Sequence, residues 1–330
     1  MIPNAYYPSS SPTAGLPRTK FGVVLLPYSV SFERVLSAAR KAEKLGFDSV
    51  WVSDHLQRGR LPVLECWTTL SALAATTTKV RLGSLATCNS FRNPGLLAKI
   101  VASASEISGG RVDLGIGVGY DDIEHDAYGY PFPNLEERVA SLSESLRVIR
   151  ELWRGSKVSF DGARFRFREA VCLPRPTGRP RVWVAGRSDA VLEAAASSGA
   201  YGVNLLPYTG TREKRRISSR REIEDLVSKV DSYGALKKSM YCGDGGAVIA
   251  QTEEELSRRI GMAARLENCS RSEMLGRLRN LSALFGTVEE CEAKERALAS
   301  AGFEELMLIF PGWERGDYSN MTTFAKSLIT

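Results

Sequence analysis

The feature that most constrains the fold is a repeated alternation of a short apolar strand, a turn and an amphipathic helix. The first strand, FGVVLLP (21–27), is apolar throughout, as a strand buried on both faces should be. A helix predicted to start at Ser31 and stop at Gly46 follows it, and then a second apolar strand. The alternation predicts eight strands: 21–27, 47–52, 79–85, 111–117, 181–186, 200–206, 245–250 and 304–310. Eight such signals in alternation predict an α/β fold, a (β/α)₈ TIM barrel with insertions, as a single domain.

The stretches between the strands predict the helices and the insertions. Helical spacing covers 65–77, 94–107, 135–153, 188–198, 253–265 and 288–301. The segment SKVSFDGARFRF alternates around Asp161–Gly162, which predicts a β-hairpin insertion near 156–180. Longer polar insertions are expected near 207–243 and 266–286. Residues 1–19, rich in Pro, Ser and Gly, are predicted to be a disordered extension, so the barrel domain covers 20–330.

Composition excludes several classes of function. The six cysteines are widely spaced with no C-x-x-C motif, which is typical of a reducing cytoplasm. Only two histidines occur, so a multi-histidine metal site is excluded, and no apolar run approaches the roughly 20 residues that span a bilayer. The net charge of +6 comes largely from one basic cluster, 211–222. That cluster has no interleaved aromatic residue, which argues against nucleic-acid binding and leaves a solvated face or an anionic small molecule as its partner.

Candidate functional residues follow the predicted strand ends, where the active sites of barrels lie. His55, after the second strand, can act as an acid or a base near neutral pH, and Asp54 beside it could accept hydrogen bonds from a ligand. A loop pair that caps the next segment is the alternative interpretation. The other candidates lie after the third, fourth and fifth strands: Ser84, Leu85, Gly117, Val118, Gly119, Tyr120, Glu124, Ala185, Gly186 and Arg187.

The glycine-rich run G-I-G-V-G (115–119) does not fit a dinucleotide-binding fingerprint, which needs glycines at offsets 0, 2 and 5. Its lack of Cβ atoms would let a flat ligand approach the backbone, although tight packing at a barrel corner is an alternative. Arg187 and the start of the next helix form a candidate phosphate site, and Ser188 could equally be a plain helix cap.

Taken together and in order, these segments resemble the bacterial luciferase-like superfamily of flavin- and deazaflavin-dependent oxidoreductases. The matching motifs are VSDHLQ (52–57), CWTTLSALAATTTKVRLGS (66–84), RNPGLLAK (92–99), GGRVDLGIGVGY (109–120), ERVASLSESLRVIRELW (137–153), FDGARF (160–165), PRVWVAG (180–186) and EELMLIFPG (304–312). The resemblance is strongest to the branch that uses coenzyme F420. It implies a homodimer that binds F420 and a small organic substrate at the C-terminal mouth of the barrel.

The resemblance also implies roles for individual residues. Asp54 would contact the deazaflavin, and His55 would work near the reacting carbon with Tyr120 and Glu124 as further catalytic candidates. A non-proline cis peptide is expected between Ser84 and Leu85, behind the ring. Gly117–Tyr120 and Ala185–Arg187 would line the ring, ribityl chain and phosphate. Because Gly59 and Tyr120 replace an aromatic residue and a glutamate of the sugar-phosphate dehydrogenases, that sugar phosphate is not the expected substrate. An FMN-dependent monooxygenase and a non-catalytic binding subunit are the alternatives.

Overall fold

Eight parallel strands form a closed barrel in the residues that the computed structural model describes, which are 18–155, 157–206, 208–209, 216–243 and 245–329. They run in the order β3-β2-β1-β8-β7-β6-β5-β4, and pairing of β3 with β4 closes the barrel. The strands are β1 (Lys20–Leu25), β2 (Ser49–Val52), β3 (Arg81–Ser84), β4 (Val112–Gly117), β5 (Val182–Ala185), β6 (Gly202–Leu205), β7 (Lys237–Tyr241) and β8 (Phe303–Leu308). This architecture confirms the fold class that the sequence predicts.

Helices alternate with these strands. They are α1 (Phe32–Lys44), α2 (Cys66–Thr76), α3 (Pro94–Ser108), α4 (Asp122–Ala127), α5 (Leu135–Trp153), α6 (Asp189–Ser197), α7 (Arg220–Ser232), α8 (Glu253–Leu266), α9 (Arg271–Leu281), α10 (Val288–Ser300) and α11 (Ser319–Leu328). The start of α3 shows the local cause: the Asn93 side chain accepts a hydrogen bond from Gly95, Pro94 takes the first position, and Gly109 ends the helix with φ of 66°. Among the described helices, none combines the length and the apolar character needed to cross a membrane.

The seventh barrel strand was predicted in the wrong place. The sequence places it at 245–250, but the barrel strand is β7, inside the segment expected to be a polar insertion. Its first residues are lysines, and Lys238 is buried because its Nζ lies 2.5 Å from Asp231 Oδ1. A search for apolar runs therefore misses this strand, because one of its buried residues is a lysine paired with a residue outside the strand. Residues 248–250 are a strand too, but they pair with Phe285–Thr287 in a separate two-stranded sheet.

The remaining insertions are also visible. Val158–Asp161 and Arg166–Ala170 form an antiparallel hairpin, and the 266–286 segment contains α9. Of the extension 1–19, residues 1–17 lie outside the described residues, whereas Arg18 pairs with Asp48 at 3.3 Å and Thr19 hydrogen-bonds Glu295. Part of the basic cluster, residues 211–215, also lies outside the described residues.

The chain divides into two compact units. The site unit comprises Leu26–Phe32 and Trp51–Asn204, and the second unit comprises the rest of the described chain. In the second unit, Phe21, Phe47, Phe310 and Phe324 pack ring against ring with centroids 5.1–6.0 Å apart. This aromatic cluster fixes α11 on the strands of the second unit.

In the site unit, a buried carboxylate joins the starts of three neighbouring strands. Asp113 of β4 is fully buried, and its oxygens accept hydrogen bonds from two arginines. Arg81 is the first residue of β3, and Arg181 directly precedes β5. Nearer the centre, the Trp51 ring lies so close to Gly83 that a Cβ there would meet it at 2.3 Å. These contacts set the register of β2 to β5, and with it the position of the loops at their carboxyl ends.

Candidate active site at the carboxyl ends of the strands

Three residues at neighbouring strand ends carry no side chain larger than a methyl group. We call them the small-residue floor: Ala86, Gly117 and Ala185. Gly117 pairs with Cys88 on one side and with Ala185 on the other. A Cβ at Gly117 would stand 3.5 Å from the Cβ of Ala185 and 3.9 Å from that of Ala86. The three positions therefore adjoin each other, and a planar ligand could approach the backbone there.

His55 is the centre of a hydrogen-bonded network at this end of the barrel. It is 8% exposed, its Nδ1 lies 2.9 Å from Glu124 Oε2, and its Nε2 lies 3.1 Å from the Tyr120 hydroxyl. The rings of Tyr28 and Tyr120 meet the imidazole edge to face, with centroids 5.9 and 5.7 Å away. The structure thus joins three residues that the sequence predicts as catalytic candidates, and it adds Tyr28, which sequence reasoning missed.

Glu124 holds the histidine in one orientation. Its other oxygen, Oε1, accepts hydrogen bonds from the backbone N–H groups of Leu56 and Gln57, the latter at 3.0 Å. Burial raises the pKa of Glu124, but the bonds from His55 and the two backbone groups outweigh burial and bring its pKa below the ordinary value. The carboxylate is therefore ionised at neutral pH and accepts a hydrogen bond from the N–H group at Nδ1 of His55. When the ring carries a single proton, on Nδ1, Nε2 is the acceptor.

Asp54 is anchored within the protein. Arg92 donates to both of its oxygens, at 2.7 and 2.8 Å, and the Cys88 N–H donates to Oδ2 at 2.9 Å. Arg92 also contacts Glu65 at 2.5 Å. Burial raises the pKa of Glu65, but bonds from Thr68 and Arg92 outweigh it and lower the pKa below its ordinary range. The ligand contact that the sequence predicts for Asp54 would have to be made beside these bonds.

The strand end after β3 corrects one expectation. The predicted cis bond between Ser84 and Leu85 is wrong by one residue, because the cis peptide joins Leu85 to Ala86. The N–H of Leu85 still donates to Val52 O at 2.8 Å, so the chain keeps its sheet register until Leu85 and leaves the strand afterwards. The buried Ser84 hydroxyl donates to Gly115 O at 2.8 Å. The structure therefore gives Ser84 a bond inside the barrel wall.

The loop Gly117–Val118–Gly119 is held from behind by residues that sequence reasoning did not connect to it. Arg138 donates to the Gly119 carbonyl at 2.5 Å, and its guanidinium stacks 4.1 Å from the Phe132 ring. Gly119 has φ of 79°, and a Cβ there would meet Cys88 Sγ at 2.7 Å and His125 at 3.2 Å. Only glycine fits this position, so the loop lies close to the strand end.

His125, the second histidine, belongs to this support. Its Nδ1 donates to the Asp121 carbonyl at 2.6 Å, and its Nε2 lies 2.6 Å from the Ser90 hydroxyl. The ring is fully buried between Phe91 and Phe132. Burial raises the pKa of the neighbouring Cys88 thiol to about 11, so the thiol stays protonated. The cluster is a packed support under the loop.

Gly186 and Arg187 follow β5 and precede α6. Both are half-buried, and Ser188 takes the N-cap position of α6 without a side-chain capping hydrogen bond. The interpretation of Ser188 as a helix cap therefore holds for its backbone only. A helix start beside an arginine remains an arrangement that suits a phosphate group.

One cluster in the described residues has the composition of a metal site. Ligand atoms of His55, Asp121 and Glu124 lie within 4.8 Å of one another. Each is already engaged, since His55 bonds Glu124 and Asp121 bonds Arg58 at 3.2 Å. The arrangement is a hydrogen-bonded network among residues that satisfy each other.

Comparisons with known proteins agree with this geometry. Residues 18–305 match the sequence model of the family described as luciferase-like monooxygenase. An F420-dependent glucose-6-phosphate dehydrogenase of Intrasporangium calvum is 32% identical over 213 residues, which is 58% of this chain and 63% of that enzyme, less than two thirds of its length. The corresponding enzyme of Amycolatopsis mediterranei is 27% identical over 88% of this chain and 92% of its own. A solved F420-dependent secondary alcohol dehydrogenase, in complex with an F420–acetone adduct, superposes with a TM-score of 0.74 at 18% identity, over 95% of this chain and 99% of that one, and shows the shared fold.

Proposed function

The chain belongs to the luciferase-like monooxygenase family, and on that basis we propose that it is an F420-dependent oxidoreductase acting on a small organic substrate at the carboxyl ends of the barrel strands. The observation that carries the proposal is the His55–Glu124–Tyr120 network at the same strand ends as the small-residue floor, where no side chain is larger than a methyl group. The F420-dependent enzymes among its relatives support the same cofactor here.

The described residues fit a deazaflavin. The small-residue floor offers a surface for the ring, and the loop 117–119 continues from the floor at Gly117. Gly186 and Arg187, at the start of α6, would hold the phosphate. When bound, F420 supplies a carbon, C5, that donates or accepts a hydride.

His55 handles the proton that accompanies the hydride. Glu124 keeps Nδ1 protonated, so Nε2 faces Tyr120 as the free acceptor. Tyr120, with its hydroxyl 3.1 Å away and its ring 57% exposed, can relay the proton between His55 and a substrate oxygen. Asp54 acts indirectly, because its bidentate pair with Arg92 fixes the chain just before His55.

The alternative is an FMN-dependent monooxygenase, which the description of the family itself supports. The two activities differ in their use of oxygen. In the absence of oxygen, we expect purified protein to reduce oxidised F420 with an organic alcohol, or to oxidise reduced F420 with a ketone. The visible absorbance of F420 follows either reaction. Oxygen uptake that requires reduced FMN, with no turnover of F420, would overturn the proposal. The homodimer implied by the family resemblance is part of the proposal, and sedimentation equilibrium tests it.

A further inference from the structure

The loop after β2, which contains His55, and the segment around α4 expose apolar side chains. Leu61 is 53% exposed, Tyr120 57%, Ile123 66% and Tyr128 52%, and we call these four residues the apolar rim. Exposed apolar side chains are ordinary when scattered, but a group of them beside polar reacting residues marks a binding surface.

Hydrogen bonds place two rim residues, Tyr120 and Tyr128, beside the site, and Ile123 lies near them along the chain, as Leu61 lies near His55. Tyr120 contacts His55 directly, and the Tyr128 hydroxyl donates to the Leu56 carbonyl at 3.1 Å, one residue after His55. Leu61 N–H donates to the Arg58 carbonyl at 3.1 Å, and Arg58 in turn bonds Asp121. These bonds bring the loop after β2 and the segment around α4 together on either side of His55.

The segment around α4 is acidic. Residues 120–130, YDDIEHDAYGY, include four acidic residues and neither lysine nor arginine. The loop after β2 contributes two arginines, Arg58, which pairs with Asp121, and Arg60, which is exposed. A phosphorylated substrate would meet repulsion here, because like charges oppose one another most strongly in partly desolvated sites.

From the exposed apolar side chains and the acidic segment, we propose that the site takes an uncharged, largely apolar organic substrate, held by the apolar rim with its reacting carbon beside His55. The inference rests on the proposed function, because it names the substrate class of the same site. The acidic segment 120–130 would distinguish this site from that of a sugar-phosphate dehydrogenase, which has to accept a charged phosphate group. Apolar contact would supply the affinity, and Tyr120 would supply the one polar contact.

Calorimetric titration with two matched probes tests the inference: benzylacetone, an uncharged aromatic ketone, and its ring-phosphorylated analogue. Benzylacetone should bind at least about tenfold more tightly than the phosphorylated ketone. Ile123→Ser should weaken benzylacetone binding by about threefold to tenfold, since it removes an apolar contact. Ile107→Ser, which changes a similarly exposed isoleucine at the far end of α3, should leave it unchanged.

A second variant separates charge from apolar contact. Asp122→Lys at the exposed start of α4 should tighten binding of the phosphorylated ketone and leave benzylacetone binding unchanged. Equal or tighter binding of the phosphorylated ketone to the wild type, or an Ile123→Ser variant that binds benzylacetone normally, would overturn the inference. Each titration is run with and without oxidised F420. Failure of F420 to bind would contradict the proposed function alone, because the probe comparison does not require the cofactor.

Discussion

Replacing Glu124 with glutamine should reverse the tautomer of His55. Glutamine offers one carbonyl oxygen and one NH₂ group in place of two equivalent oxygens. The oxygen is needed by the backbone N–H groups of Leu56 and Gln57, so the NH₂ group would face His55 Nδ1. Nδ1 would then have to accept a hydrogen bond, and the ring proton would move to Nε2. The nitrogen that faces Tyr120 would no longer be able to take a proton.

The expected magnitude follows from the role that is lost. A positioned acid or base contributes about 10²–10⁴-fold to turnover, and the variant should lose an effect in that range. Folding stability should fall by about 1–2 kcal/mol, because the variant replaces hydrogen bonds to a charged, buried group. The wild-type contribution depends on the ionised carboxylate, whose pKa is lowered in the fold. It is therefore fully present at neutral pH and is lost only as the pH falls below about 4.5.

The chain is well suited to a direct assay, because it contains only two histidines. Nitrogen NMR of protein labelled in histidine should show Nδ1 protonated in the wild type and Nε2 protonated in Glu124→Gln. Asp126→Asn, the same chemical change at an exposed position of α4, should keep the wild-type tautomer. The signals of His125 provide an internal control. An unchanged His55 tautomer in the glutamine variant would show that Glu124 does not set it. Full turnover in that variant would show that the tautomer is not needed for catalysis.

Three further outcomes are expected. His55→Ala should lower turnover by about 10²–10⁴-fold while F420 affinity, measured by fluorescence titration, stays within about twofold. Asp54→Ala should lower the free energy of unfolding by about 3 kcal/mol in urea titrations, because it leaves the buried Arg92 without its main partner; a neutral effect would show that the pair is not a structural anchor. Burial, and secondarily the nearby Glu267, raises the pKa of Glu314 to about 7, so the folded state loses stability as the pH rises from about 4.5 through 7. Glu314→Gln should therefore raise Tm at pH 8 by an amount corresponding to at most about 3 kcal/mol and leave it unchanged near pH 4; equal shifts at both values would contradict this.

Most of the barrel could be predicted because its strands are apolar runs between punctuating turns. The exception is instructive. Lys237–Tyr241 begins with two lysines, and Lys238 is buried with its Nζ paired to Asp231, near the end of the preceding helix α7. The segment 245–250 is more apolar, yet it pairs with residues 285–287 outside the barrel. A run of apolar residues indicates that a strand is buried, but it does not indicate which sheet the strand joins.

The site shows the same limit. Strand ends identify His55, Tyr120 and Glu124 as candidates, because chemistry in barrels collects there. The bonds among them join residues 65 and 69 positions apart, so no local pattern indicates their order in the network. Arg92, in the extended segment before α3, and Arg138, within α5, were missed because an arginine usually faces solvent. Here each donates to a specific acceptor, the Asp54 carboxylate or the Gly119 carbonyl.

The cofactor of this barrel can be identified by equilibrium titration of the purified protein with oxidised F420 and with FMN, followed by fluorescence. F420 should bind saturably, and FMN should bind at least about a hundredfold more weakly. Tight binding of FMN with no measurable binding of F420 would contradict the proposal that the barrel uses F420.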